Sequence, residues 1–235
     1  MTRSVLLLAA LALATAGCSV DGRVESEIEA ALPAALGPAD SYDATVQGVR
    51  LSAGTAERIQ IVGRRVARED APIVDRLDID LRGVRYDRSS KRLTGAESAQ
   101  ATLRLLPADL GAYLDRQRGV GAAALALQAP DRATIRVRGE VEGFQIPVAA
   151  QIEGRLAARD GTVRLDVDRV SAAGIGLGGS LARRLDERLN PVVDLTDEDL
   201  ALRVTAVRVE GDTLVLEATG DPSGLRIQRG RTAGR

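Results

Sequence analysis

From Phe144 onward the even positions read Phe144, Ile146, Val148, Ala150, Ile152, Gly154, Leu156 and Ala158, while the odd ones include Gln145, Ala149, Gln151, Glu153 and Arg155. Apolar and polar residues alternate here over about fifteen residues, well beyond the roughly five or six of a common strand. Just upstream, Ile135, Val137 and Val141 alternate with Arg136, Arg138 and Glu142, and Glu142-Gly143 supplies a tight reversal. The pattern predicts a long antiparallel hairpin over residues 133–158, with one aliphatic face and one charged face. So smooth an aliphatic face must be covered by helices or by something that is not protein. That choice is the functional question.

The same two periodicities organise the rest of the chain. Val24, Ile28, Ala31, Leu32, Ala35 and Leu36 fall at helical spacing, with Asp21 as the expected cap and Gly37-Pro38 as the stop. Strands are predicted over residues 42–51 and 57–66, then from Ile73, where Leu77, Ile79 and Leu81 alternate with Arg76, Asp78, Asp80 and Arg82. Gly83 shifts the phase to Val84 and Tyr86, as a bulge would. After a turn at residues 87–90, Ala99, Ala101, Leu103 and Leu105 mark the returning strand. Pro107 opens a second helix that turns Leu110, Tyr113 and Leu114 inward and closes at Gly119. Residues 120–128 fit either a helical turn or a strand.

Beyond the long hairpin, Asp160-Gly161 leads into Val163, Leu165 and Val167. Leu181, Leu185 and Leu189 then stack four apart in a helix over residues 180–189, and residues 200–218 close as a hairpin. Segments 77–99 and 200–220 echo one another in strand, face shift, Val-Arg, turn and strand, which hints at two related sheet-plus-helix halves. The expected fold class is α+β, a long curved antiparallel sheet wrapped around a few amphipathic helices.

The amino terminus adds a compartment. Arg3 precedes an apolar run over residues 5–16, too short to span a bilayer that needs about twenty residues, so residues 1–17 read as an export signal. Cleavage fits two patterns. Ala14-Thr15-Ala16 suits ordinary signal peptidase. Thr15-Ala16-Gly17-Cys18 resembles a bacterial lipobox, with Thr15 in place of the usual Leu and the chain's single cysteine where lipidation needs it. The expectation is a lipoprotein anchored through Cys18, working outside the cytoplasm and facing the periplasm or cell wall, without an internal disulfide. A single domain is expected over residues 18–225, followed by a disordered Arg-rich tail at 226–235.

Composition removes whole classes of chemistry. The chain has no His and no Trp, and only four aromatic rings, three Tyr and one Phe. Without His, neither a Ser-His-Asp nor a Cys-His arrangement can exist. Without aromatic platforms, sugar- or base-stacking sites are disfavoured, and a net charge of −1 argues against nucleic acid.

Gly174-Ile175-Gly176-Leu177-Gly178-Gly179 fits G-x-G-x-x-G, with Asp194 about twenty residues on. The strand before it alternates Arg164, Asp166 and Asp168 outward, whereas a dinucleotide-binding first strand is buried on both faces. The acidic group Asp194, Asp197, Glu198 and Asp199 lacks calcium-loop spacing and reads as a cap or turn. The pairs Asp78/Asp80 and Asp166/Asp168 read as wet-face residues rather than hydrolytic carboxylates. No catalytic residue, metal site or cofactor is expected.

The order of parts in the second half resembles the LmeA family of phospholipid-binding envelope proteins. It comprises a strand carrying Ile146-Pro147-Val148, a strand start at Gly161-Thr162-Val163 and a Gly/Leu-rich loop. A helix ending in Leu189-Asn190-Pro191, the step Val193-Asp194-Leu195 and a closing Val-x-Val hairpin follow. The resemblance implies a fold similar to tubular lipid-binding proteins, with an apolar tunnel and no catalytic residues. The function it implies is non-enzymatic binding of a phospholipid or other acyl lipid, such as a lipid-linked glycan, in support of envelope lipid transport or maturation. Burial of about 0.8 kcal/mol per methylene lets an aliphatic groove hold a lipid without specific polar contacts. The expected lining is Leu77, Ile79, Leu103, Phe144, Ile146, Val148, Ile152 and Leu181. The alternatives are a scaffolding lipoprotein with a filled core and a carboxylate-based hydrolase.

Overall fold

Val24, Ile28 and Leu32 recur every four residues, and the first helix, α1 (Val20–Leu36), turns this stripe inward with Ala35 and Leu36. The computed structural model describes residues 20–87, 92–118, 124–141, 144–172, 175–176, 183, 186–187, 189–195 and 202–220. Val20 is already helical, so Asp21 lies inside the helix rather than capping it. The helix also runs through Pro33 and ends at Gly37, whose backbone adopts φ 102 and whose amide donates to the Pro33 carbonyl. That left-handed turn is the conformation glycine tolerates best.

Among the described residues, twelve strands follow and form two open antiparallel sheets rather than one long curved sheet. The first contains β1 (Ser41–Gln47), β2 (Thr55–Val66), β3 (Val74–Asp87), β4 (Arg92–Gly95), β5 (Ser98–Leu105), β11 (Arg203–Glu210) and β12 (Thr213–Thr219). Its order is β1-β2-β3-β5-β12-β11, with β4 beside β3. The second contains β6 (Ala124–Gln128), β7 (Arg132–Val141), β8 (Phe144–Arg159), β9 (Thr162–Ala172) and β10 (Ile175–Gly176), in the order β10-β9-β8-β7-β6. Residues 124–128, which fitted helix or strand, are therefore a strand. The second described helix is α2 (Pro107–Arg118), which packs on β6 with Leu110, Tyr113 and Leu114 buried.

Register shows why the inner face of the first sheet is continuous. Ala44, Ile61, Ile79, Ala101, Ala218 and Val204 stand opposite one another across six strands. In the next row Tyr42, Gly63, Leu77, Leu103, Leu216 and Val207 do the same. Tyr42 lies over Gly63, where an added Cβ would come within 2.8 Å of the ring. The face shift expected at Gly83 occurs, with φ 58; β2 pairs with Arg82 and Val84 on either side of it in one register, while the pairing with β5 ends at Arg82. The register break falls later, between Arg85 and Tyr86. The inward pattern also skips between Ala56 and Ile59 and between Ala96 and Ala99, so the segments beside Gly83 change face with it.

The two echoing segments both contribute to this sheet, as β3–β4 and β11–β12. The second sheet arises from the chain between them. The repeat therefore does not divide the molecule into two sheet-plus-helix halves.

The sheets meet at β11. Its free edge donates from Val204 to the Gly161 carbonyl at 2.9 Å and from Val209 to the Pro130 carbonyl at 2.7 Å. Those carbonyls belong to the β8–β9 and β6–β7 turns, so the ends of the second sheet dock on the edge of the first. One aliphatic core runs through both. Beyond Leu189, residues 190–193 lie along β9, exchanging backbone hydrogen bonds between Val163 and Val192 and Val193. The predicted turns at residues 88–90, Gly119, Leu181, Leu185, Asp197, Glu198, Asp199 and the tail at 226–235 fall outside the described residues, as do Cys18 and the export segment.

On the outer face of the first sheet, arginines and carboxylates interleave. Asp80 accepts from Arg58 at 2.7 and 2.9 Å and from Arg82 at 3.4 Å. The Arg58 hydrogen bonds hold its carboxyl below the usual range, more than partial burial raises it. A depressed folded value stabilises above the unfolded pKa of about 4 and is lost as pH falls through the folded value. Asp80→Asn is expected to cost up to about 1 kcal/mol in urea unfolding at neutral pH, and the gap from the parent protein should shrink as pH falls below the ordinary carboxylate range of about 4. An unchanged gap at acid pH would contradict the assignment.

Candidate functional site

The second sheet carries its apolar residues on one face, and register aligns them in rows. Leu125, Ile135, Ile152 and Val170 stand opposite one another, and the next row outward from β11 is Val137, Ala150, Ala172 and Ile175. Directly opposed residues of antiparallel strands project to the same face. Ile175 therefore belongs to the inner face, although it sits on a two-residue strand.

Burial changes sharply along this face. Ile135 and Ile152 are 0% exposed, packed in the shared core near β11. In the outer row Val137 is buried, Ala150 and Ala172 are partly buried and Ile175 is 70% exposed. The face stays aliphatic while its cover runs out: among the described residues, nothing packs over Ile175. The result is an aliphatic shelf leading from a closed interior to solvent. Backbone pairing of Gly139 with Val148 and of Val141 with Phe144 continues the hairpin beyond it.

A local irregularity shapes this sheet. Between Glu153 and Gly154 the β8–β9 register shifts, and Asp168 is the extra residue. A bulge there increases strand twist and re-aims the neighbouring side chains. Asp168 reaches Arg132 and Arg155, at 3.7 Å each, on the outer face. Gly154 has no room for a side chain, because a Cβ would strike the Asp166 carbonyl.

The residues picked out by pattern divide between the two sheets. Leu77, Ile79 and Leu103 are buried on the first, and Ile152 is buried on the second. All four belong to one core cluster. Phe144, Ile146 and Val148 lie in β8, but their side chains fall outside the described residues, as Leu181 does entirely. Pattern reading passed over Val137, Ala172 and Ile175. The signal for Val137 was present in its alternation with Arg136 and Arg138. Ile175 was hidden inside the glycine run, where periodicity gives no face.

The carboxylates take up structural work. Asp78 is held by Arg76 at 2.8 Å, Asp166 by Arg159 at 2.6 Å, and all four aspartates of the two pairs contact arginine on the wet faces. Among the described residues no group of three or more carboxylates or other ligands is placed to hold a metal, and no helix is long and apolar enough to cross a membrane. Ile175 and Gly176, the described part of the glycine motif, pair antiparallel with β9. The dinucleotide-binding fold needs a parallel β-α-β crossover at that point.

Two open sheets share one aliphatic interior, with arginine–carboxylate pairs on their outer faces, in a sheet-rich α+β architecture. The chain belongs to the LmeA-like phospholipid-binding family, whose model matches residues 20–219. Comparison with curated proteins and with solved structures gave no match.

Proposed function

We propose that this protein binds phospholipid without chemical turnover, seating acyl chain on the inner face of the second sheet, and that it serves transport or maturation of envelope lipids. One observation carries the reading. The row Val137, Ala150, Ala172 and Ile175 extends the core's aliphatic face while exposure rises from 0% at Ile152 to 70% at Ile175. In a chain of a phospholipid-binding family, an aliphatic row that continues the core and ends at an exposed isoleucine is a natural place for an acyl chain to enter.

Each methylene removed from water contributes about 0.8 kcal/mol, so a chain lying along the shelf is held by its length rather than by a polar anchor. The headgroup then sits at the solvent end, near Ile175. Strand alternation from Ile152, which is buried, would carry the same surface on to Val148, Ile146 and Phe144. Such a protein suits an extracytoplasmic setting, where Cys18 would tether it to the membrane that supplies its ligand.

Native mass spectrometry of the gently purified protein tests the proposal. A co-purifying phospholipid, or uptake of phosphatidylglycerol from added vesicles, is the expected result. A bare chain that takes up none would favour a scaffolding lipoprotein.

A further inference from the structure

The wet faces of the two sheets carry their charge differently. On the first sheet, carboxylates hold arginines by hydrogen bonds. Arg58 donates to Asp80 at 2.7 Å, Arg76 to Asp78 at 2.8 Å, and Arg104 and Arg208 to Glu210 at 3.1 and 2.8 Å. On the second sheet, strand alternation sends Arg132, Arg136, Arg155, Arg159, Arg164 and Arg169 outward, together with Glu153, Asp166 and Asp168. Six cations therefore share a face with three anions, in a chain whose net charge is −1.

Those three anions are also poorly matched to the arginines around them. Arg132 and Arg155 stand directly opposite one another, an arrangement of like charges that destabilises a strand pair. Asp168 reaches both only at 3.7 Å, beyond hydrogen-bonding distance. Glu153 stands opposite Arg169 but accepts from the Gln151 side chain at 2.7 Å instead. Among the described residues, Arg159 alone on this face has a hydrogen-bonded carboxylate, Asp166 at 2.6 Å, while Arg136, Arg164 and Arg169 meet none. Arg136 and Arg169 are exposed, as are Arg132, Arg155 and Arg159. The face therefore presents guanidinium groups whose charge the protein itself leaves uncompensated.

We propose that the outer face of β7–β8–β9 docks on the anionic surface of a phospholipid bilayer. Guanidinium groups pair with phosphate oxygens through parallel hydrogen bonds and shed water more readily than ammonium groups do. A sheet face holds them in one layer, which suits a plane of phosphates. A nucleic acid would also call for base stacking, and the described residues of this face include no aromatic ring. Each arginine at such a surface strengthens adsorption about fivefold at modest salt. Docking does not depend on where a lipid is seated; its consequence for lipid entry rests on the shelf reading given above. The outer row Arg136, Gln151, Ser171 and Gly176 lies beside the inner row Val137, Ala150, Ala172 and Ile175. β10 ends the sheet on that side, so the docked face brings the open end of the shelf to the headgroups across one strand edge.

The test is co-sedimentation with vesicles, using full chains that all carry Cys18→Ser so that no acyl anchor contributes. The parent is compared with Arg136→Gln/Arg164→Gln/Arg169→Gln and with Arg23→Gln/Arg64→Gln/Arg203→Gln, which removes the same charge from exposed positions elsewhere. Vesicles are phosphatidylcholine alone or with about 30% phosphatidylglycerol. The parent should bind the anionic vesicles at least tenfold more tightly than the neutral ones in about 0.1 M NaCl, and should lose that preference near 1 M, where the screening length is about 3 Å. The second-sheet variant should bind the anionic vesicles at least tenfold more weakly, and the control should stay within twofold of the parent. A parent with no preference for anionic vesicles, or equal losses in the two variants, would overturn the docking face. Phospholipid loaded from detergent and counted by native mass spectrometry separates this from the shelf. Docking by a parent that retains no lipid would sink the shelf alone, and retention without docking would sink the docking face alone.

Discussion

Ile175→Asp is expected to weaken phospholipid binding at least tenfold while leaving the melting temperature within about 1 °C of the parent. The side chain is 70% exposed, so its loss removes almost nothing from the folded core. In the lipid-bound state it would be covered by acyl chain, and full burial of an isoleucine is worth roughly 1.5–3 kcal/mol. An aspartate at the same point also sets a carboxylate in the path of the hydrocarbon, which adds a desolvation cost. Strand alternation supplies the control. Gln151 neighbours Ala150 but projects to the opposite face, so Gln151→Asp should bind lipid as the parent does while Ala150→Asp should not. Lipid retained per protein, read by native mass spectrometry, decides the matter. Equal retention by Ile175→Asp and the parent would place the lipid elsewhere.

The largest stability effect is expected at Asn190, the only described polar residue in the buried set. Its side-chain oxygen accepts from the Leu165 amide at 2.7 Å, and its nitrogen donates to the Leu165 carbonyl at 3.0 Å and to Asp186 at 2.8 Å. A single amide thus pairs both backbone groups of Leu165, as a neighbouring strand would, and continues the backbone pairing of Val163 with Val192 and Val193. Asn190→Ala leaves those groups without a partner in a dry site. Each unsatisfied group costs about 1–3 kcal/mol, so a loss of about 3 kcal/mol is expected. For a chain of this size that lowers the melting temperature by roughly 6–12 °C. Asn190→Asp should fall between the two, since it keeps the acceptor and loses the donors. Calorimetry showing less than about 2 °C change for the alanine variant would mean that the segment is not held by this amide.

Much of the architecture was legible because most strands in this protein have one wet face. Alternation in residues 74–87, 98–105 and 144–159 names the elements and their inward residues, and Asp160-Gly161 and Gly211 mark tight hairpins, with φ of 54, 80 and 64. Residues 120–128 were ambiguous because Ala-rich stretches carry no strong period. The single curved sheet was wrong for a related reason. Alternation tells each strand which face is apolar but not which strand it will pair with, and the long-range pairing of β5 with β12 decided that β11–β12 returns to the first sheet.

At the site the division is similar. The inward face of Ile152 was legible on the long hairpin because it alternates with Gln151 and Glu153. Ile175 was missed because a glycine on either side erases the pattern, and only its pairing with Ala172 assigns it a face. Helical period also says nothing of Glu29 and Glu25, which accept from the Ala44 and Val46 amides. Their role depends on the amides of β1, fifteen and twenty-one residues away in sequence.

By itself, then, the order of residues determined an α+β chain with aliphatic inner faces, charged outer faces and no histidine, because hydrophobic period and side-chain inventory are local properties. Tertiary structure alone decided that the strands split into two sheets, that β11 joins them, and that Ile175 ends the inner face of the second sheet 70% exposed. Those outcomes depend on which distant backbone groups find each other, and on how much apolar surface the assembled elements bury, neither of which is encoded in any single stretch.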